Sequence, residues 1–174
     1  NYNPNAVIDD GSCTYPMTYV PDDNFEAYLE FNGMGDGIWN NDYVITQNIT
    51  NVDTLSIASQ YIADLTGIAD FNALTYLNCN SNQLTALDVS TNTALTFLWC
   101  FDNQLTALDV SGVTALTYLN CSYNQLTTLD VSGAAALTEL YCYSNQLTNL
   151  DVSGAAALID LNCYSNQLTN LDVS

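Results

Sequence analysis

The chain has 174 residues, 48% of them hydrophobic, and carries 19 Asp and Glu against no Lys, Arg or His, a formal charge of −19. Nothing in it neutralises phosphate, so nucleic acid and anionic membranes are excluded as partners. Without His or Lys the common catalytic triads and Schiff-base chemistry are excluded too. Carboxylates brought together here have no internal counter-ion. Hydrogen bonds, protonation or a bound divalent cation must relieve them, which makes Ca²⁺ the cofactor to consider.

Residues 1–16 form a turn-rich segment with side-chain oxygens on Asn1, Asn3, Asn5, Asp9 and Asp10. Such oxygens hold hard cations, and they equally cap their own turns; both readings stand. Cys13, in Gly11-Ser12-Cys13, has no obvious mate and is the candidate for an intermolecular disulfide. The five other cysteines recur at one core-facing slot, where parallel neighbours are badly placed for bonding. They read as small buried thiols.

Residues 17–51 read as a cap. Pro21-Asp22-Asp23 is a helix start, and Phe25, Tyr28 and Leu29 give a short helix one apolar face. Ending near Gly33, it plugs one end of the core. The following loop gathers Asp36, Asn40, Asn41 and Asp42, for which a turn is favoured over a metal site. Segments 43–50 and 52–57 alternate as strands. Within them, Asn48-Ile49-Thr50 is a formal N-glycosylation sequon.

Residues 52–174 repeat. Leu74-x-x-Leu77-x-Cys79-x-x-Asn82-x-Leu84-x-x-Leu87-x-Val89 recurs from Leu95, Leu116, Leu137 and Leu158 with a period of 21, the last copy incomplete. A short fixed period predicts a solenoid. Segment 52–73 is an irregular first coil with Val52, Leu55, Ile57, Ile62 and Leu65 inward. Each fully buried Leu contributes about 1.5–3 kcal/mol. The Asn82 series is expected to satisfy backbone groups at a corner. Asp88, Asp109, Asp130, Asp151 and Asp172 share an outward slot roughly 5 Å apart along the stack, where like charges repel. Hydroxyls of Ser90, Ser111, Ser132, Ser153 and Ser174, and of Thr85, Thr106, Thr127, Thr148 and Thr169, are expected to relieve them in preference to a Ca²⁺ ladder.

This frame resembles the leucine-rich repeat with Cys in its third apolar slot, and specifically the nested 21-residue bacterial subclass. The resemblance implies a mainly parallel β solenoid with strands on two sides and little helix. Asn1 to Cys13 resembles a module of large secreted bacterial surface proteins, and Val20-Pro21-Asp22-Asp23-Asn24-Phe25-Glu26 the cap that precedes such repeats. These proteins are often exported by the type nine route and anchored outside the cell. A second cysteine usually precedes that module's first Asn; it is missing here. Asp53-Thr54-Leu55 matches the O-glycosylation signal of those bacteria, marking Thr54.

Positions that vary between coils are not dictated by the stack. Tyr76, Phe97, Trp99, Phe101, Tyr118, Tyr141, Tyr143 and Tyr164 are expected on one exposed sheet face, with Tyr123 beside them. An exposed aromatic patch marks a contact site. Glycan, whose sugar faces stack on rings, and protein both fit; the alternative is that Tyr and Phe simply suit strands. Glu139 and Asp160 fall one coil apart on this face, near the carboxylate spacing of some glycoside hydrolases. They are open to water and without a cationic helper, so hydrolysis is the remote reading and no enzyme is expected. The chain is expected to be an extracellular or cell-surface structural or adhesive module. Its rival is a head-to-tail filament, because the repetition stops at Ser174 without a polar cap.

Overall fold

The computed structural model describes residues 15–172. Strand β1 (Met17–Tyr19) pairs antiparallel with β2 (Tyr43–Ile45), Thr18 opposite Val44. Between them lies helix α1 (Asp23–Phe31). It starts where Asp22 Oδ1 accepts the N–H groups of Asn24 and Phe25 at 3.0 and 2.9 Å, and Asp23 and Glu26 put negative charge at the positive end of its dipole. It stops in a Schellman arrangement: Met34 N–H donates to Leu29 O and Gly33 N–H to Glu30 O, with Gly33 at φ 73°. Phe25 and Leu29 are fully buried, and Phe25 stacks on Phe71 with ring centroids 6.3 Å apart. The helix therefore closes one end of the core, as its apolar spacing predicts.

Segment 43–50 departs from the strand expectation after Ile45, where α2 (Thr46–Ile49) begins. Thr46 N–H donates to Pro16 O at 3.0 Å, and Pro16 has no N–H to return, so the β1–β2 ladder stops there. The freed backbone coils, with Thr50 Oγ1 bonded to Thr46 O at 2.8 Å.

The solenoid follows in β3 (Thr54–Ser56), β4 (Tyr76–Asn78), β5 (Phe97–Trp99), β6 (Ala107–Asp109), β7 (Tyr118–Asn120), β8 (Thr128–Asp130), β9 (Glu139–Tyr141), β10 (Asn149–Asp151), β11 (Asp160–Asn162) and β12 (Asn170–Asp172). One strand from each coil joins a six-stranded parallel sheet in the order β3-β4-β5-β7-β9-β11. The 21-residue period shows as unbroken register: Leu55, Leu77, Leu98, Leu119, Leu140 and Leu161 are successive partners. The second side is extended only in pieces, β6 with β8 and β10 with β12. No strand forms around Leu87, so the expectation of strands on two sides holds fully for one side and intermittently for the other.

The core is a column. Leu74, Leu77, Cys79, Leu84, Leu87 and Val89 are all buried, and their equivalents in the next three coils are too. Val52, the outermost of the predicted first-coil positions, is only half-buried. Cys79, Cys100, Cys121 and Cys142 are free buried thiols and Cys163 is half-buried. Burial pushes the Cys79 and Cys142 thiols up to about 12 and those of Cys100 and Cys121 well above the ordinary range.

Asparagine closes each corner. Asn124 Nδ2 donates to the carbonyls of Cys100, Cys121 and Ser122 at 3.0–3.2 Å, while its Oδ1 accepts Leu105 N–H at 2.9 Å. Asn103 and Asn145 repeat the pattern. The residue before each Asn lies in the left-handed region: Ser81, Asp102, Tyr123, Ser144 and Ser165 at φ 53–56°. Nothing in the pattern of apolar residues announces this turn; the asparagine ladder imposes it by holding the chain on both sides.

Candidate binding face

The outward residues of the six-stranded sheet bring the predicted aromatic set together. Tyr76, Phe97 and Tyr118 share one row, with ring centroids 5.0 and 4.2 Å apart and planes within 12° of parallel. Trp99 leans on this row, 5.4 Å from Phe97 and 6.1 Å from Tyr118, and reaches Phe101 at 6.3 Å. Tyr141, which stands opposite Asn120 in register, reaches the Tyr118 ring at 5.5 Å. A second row joins Tyr123, Tyr143 and Tyr164 at 5.2 and 4.7 Å.

The exposure differs from expectation. Only Tyr123 and Tyr164 are more than half exposed, at 53% and 56%; the other seven rings are half-buried because they cover one another. Trp99 Nε1 and Ser122 Oγ are buried and have no hydrogen-bond partner among the described residues. Tyr123 is a bulky residue at φ 53°, a conformation L residues avoid, and the corner holds it where it meets Tyr143 edge to face.

Beyond Tyr118 the row changes chemistry. Its next two members are Glu139 and Asp160, direct partners in the β9–β11 register. Tyr141 Oη donates to Asp160 Oδ2 at 2.7 Å and lies 3.2 Å from Glu139 Oε2. The hydrogen bond to Asp160, then desolvation and Glu139, raise the phenol above its ordinary range. One proton thus serves two carboxylates.

The aspartate column of the other side is compensated differently. Asp88, Asp109, Asp130 and Asp151 each accept the N–H of the serine two residues on at 2.8–2.9 Å. The Ser90 hydroxyl and then its N–H hold Asp88 below the usual carboxylate range, and Ser111 does the same for Asp109. The threonine part of the expectation fails. Thr127 and Thr169 hydroxyls donate to the carbonyls of Thr106 and Thr148, because those acceptors sit one coil back, in line with the stack.

In the cap, the 35–42 loop is held by side-chain oxygens. Glu30 accepts the N–H groups of Asp36 and Gly37, and Asp36 those of Ile38 and the Asn41 side chain. Sequence reasoning missed the grouping of Asp23, Glu26 and Asp42, whose oxygens lie within 4.8 Å of one another. Glu26 is fully buried, and both its oxygens are engaged by the N–H groups of Asn41 and Asp42. A lone Glu on the apolar face of α1 was the available signal. The calcium candidates Asn1, Asn3, Asn5, Asp9 and Asp10, and Cys13, lie outside the described residues. Thr54 is exposed on β3. No described helix is long and apolar enough to cross a membrane.

Residues 93–133 match the family described as Leucine Rich repeats (2 copies). The functional domain of InlJ from Listeria monocytogenes, which includes a cysteine ladder, superposes with a TM-score of 0.79 at 40% identity, covering 92% of this chain and 36% of its own. A leucine-rich-repeat protein of Leptospira interrogans gives 0.62 at 26% over 74% of this chain and 35% of its own. The internalin InlF of L. monocytogenes gives 0.71 at 23%, a likeness of fold, over 87% of this chain and 46% of its own. The chain spans less than half the length of each. Among curated proteins none matches.

Proposed function

We propose that the chain is a bacterial leucine-rich-repeat protein serving as a non-catalytic protein-binding module of the cell surface, recognising its partner through the aromatic side of the six-stranded sheet. Likeness to the InlJ functional domain supports a surface location, as does the resemblance of Asn1 to Cys13 to a secreted-protein module. One observation favours protein over glycan. Tyr76, Phe97 and Tyr118 stack face to face, so within the row ring faces are spent on one another and ring edges point outward. Sugar stacking needs free faces, whereas a rigid, half-buried aromatic layer is what a protein hot spot is made of. Catalysis has no support in the face: Glu139 and Asp160 share one phenol proton and stand beside no imidazole or cation.

The test is parallel binding to arrayed extracellular protein domains and to arrayed glycans, with wild type and a Trp99→Ser/Tyr118→Ser variant of unchanged circular dichroism. Retention of a protein partner, weakened about tenfold or more in the variant, is the expected result. Saturable glycan binding lost in the variant overturns the protein reading, and equal binding by both forms overturns the face. Ca²⁺ at residues 1–16 is tested by titrating stability with Ca²⁺ and EDTA, and glycosylation at Thr54 by intact mass of native material.

A further inference from the structure

Resting on the protein-binding reading, we infer that the partner inserts a Lys or Arg side chain between Glu139 and Asp160, against the ring of Tyr141. The row that carries Tyr76, Phe97 and Tyr118 could continue as rings, since the stack dictates nothing at these outward positions. Instead it places two carboxylates directly opposite each other in the β9–β11 register, one strand spacing of about 4.8 Å apart, an arrangement that by itself destabilises a sheet.

Most other acids among the described residues have donors of their own; Asp23, Asp42, Asp53 and Asp102 do not, but Glu139 and Asp160 are the pair set face to face across a strand ladder on the aromatic side. Asp88, Asp109, Asp130 and Asp151 each accept a serine N–H, Glu26 and Glu30 each take two backbone N–H groups, and Asp22 takes four. Among the described residues Glu139 and Asp160 accept only from Tyr141 Oη. With no Lys, Arg or His anywhere in the sequence, the missing positive charge has to arrive from outside.

A hard metal ion fits poorly, because it asks for six to eight oxygens and finds two carboxylates and a phenol. A guanidinium or ammonium asks for carboxylate acceptors and an aromatic face, and both are present. Arg suits best, its planar donors reaching both acids at once. The apolar rings of Phe97 and Trp99 on β5 lie two strands from β9 and three from β11, about 10–14 Å away. The partner therefore presents a cation and an apolar anchor separated by that distance.

The probe is the peptide acetyl-Trp-Gly-Gly-Arg-amide, titrated into ¹⁵N-labelled protein and followed by two-dimensional NMR beside its citrulline analogue, which keeps the shape and loses the charge. Two double variants each remove two charges: Glu139→Gln/Asp160→Asn on the face, and Asp109→Asn/Asp130→Asn on the second side. Saturable shifts centred on 118–164 are expected for the Arg peptide and not for citrulline, weakened about tenfold by the first variant and little changed by the second. Equal weakening by both variants reduces the effect to bulk charge and overturns the inference. So do equal binding of citrulline and an absence of saturable shifts at the peptide's solubility limit. If Trp99→Ser abolishes capture of the arrayed protein partner while Glu139→Gln/Asp160→Asn leaves it intact, the protein-binding reading stands and the cation clasp falls.

Discussion

Asp22 Oδ2 accepts the N–H of Ala63 at 2.8 Å, and that of Asp64 at 3.1 Å, while the same carboxylate's Oδ1 caps α1. One side chain thus fastens the capping helix to the first coil. Asn24 Nδ2 to Tyr61 O and Tyr28 Oη to Ser56 O add to the seam, so the helix is positioned by its start rather than by its length.

Replacing Asp22 separates the two roles. Asp22→Ala loses the cap, about 1 kcal/mol, and orphans the Ala63 and Asp64 N–H groups as well. Asp22→Asn keeps a capping oxygen but turns an amine toward two donors. Thermal unfolding should place the Asp22→Asn variant between wild type and Asp22→Ala, at about 2–4 °C per kcal/mol lost. A wild-type midpoint for Asp22→Ala removes the seam from the stability of the cap.

Asn124→Ala should be among the most damaging single changes. It orphans the buried Leu105 N–H, at about 1–3 kcal/mol if no water reaches it, and takes one of two donors from each of the Cys100, Cys121 and Ser122 carbonyls. Amide exchange at Leu105 should accelerate by orders of magnitude, and exchange unaltered from wild type would show the ladder to be replaceable.

Glycine is required at two of three equivalent positions. A Cβ at Gly133 or Gly154 would overlap the carbonyl of Ser111 or Ser132, whereas at Gly112 it would sit 3.7 Å from Ser90 O in ordinary contact. Gly112→Ala should therefore be neutral or slightly stabilising, since it lowers the freedom of the unfolded chain. Gly133→Ala and Gly154→Ala should lower the denaturant midpoint. Equal effects at all three would contradict this backbone spacing.

Alkali should weaken the core. The native Cys79 thiol stays protonated to about 12 because burial disfavours its thiolate, whereas in the unfolded chain it ionises near its ordinary value of 9.0. A raised native pKa gives stability that is complete below the unfolded value and is lost as pH climbs from 9 toward 12, by about 1.4 kcal/mol per pH unit for each such thiol. Urea midpoints should fall across this window in wild type and less steeply in Cys79→Ala and Cys121→Ala. Parallel slopes would place these thiols in contact with water.

The solenoid was legible because its period is rigid. With Leu, Cys and Asn repeating every 21 residues, register leaves one way to bury the column, and alternation within Tyr76–Asn78 or Phe97–Trp99 already tells which side chains face out. The capping helix was legible from Asp22 and the Phe25/Leu29 spacing. Local pattern failed where long-range partners decide: Pro16 ends the strand at Ile45, and threonine hydroxyls find carbonyls one coil back instead of the aspartates beside them. Glu26 is buried because the backbone of Asn41 and Asp42 comes to meet it.

The aromatic face divides in the same way. Which rings point outward follows from the period-two geometry of a strand and needs no coordinates. That Tyr76, Phe97 and Tyr118 spend their faces on one another depends on side-chain torsions and on strand spacing, as does the sharing of one Tyr141 proton between Glu139 and Asp160. Both are properties of neighbouring coils, 19 to 21 residues apart in the chain, and only their stacking brings them into contact.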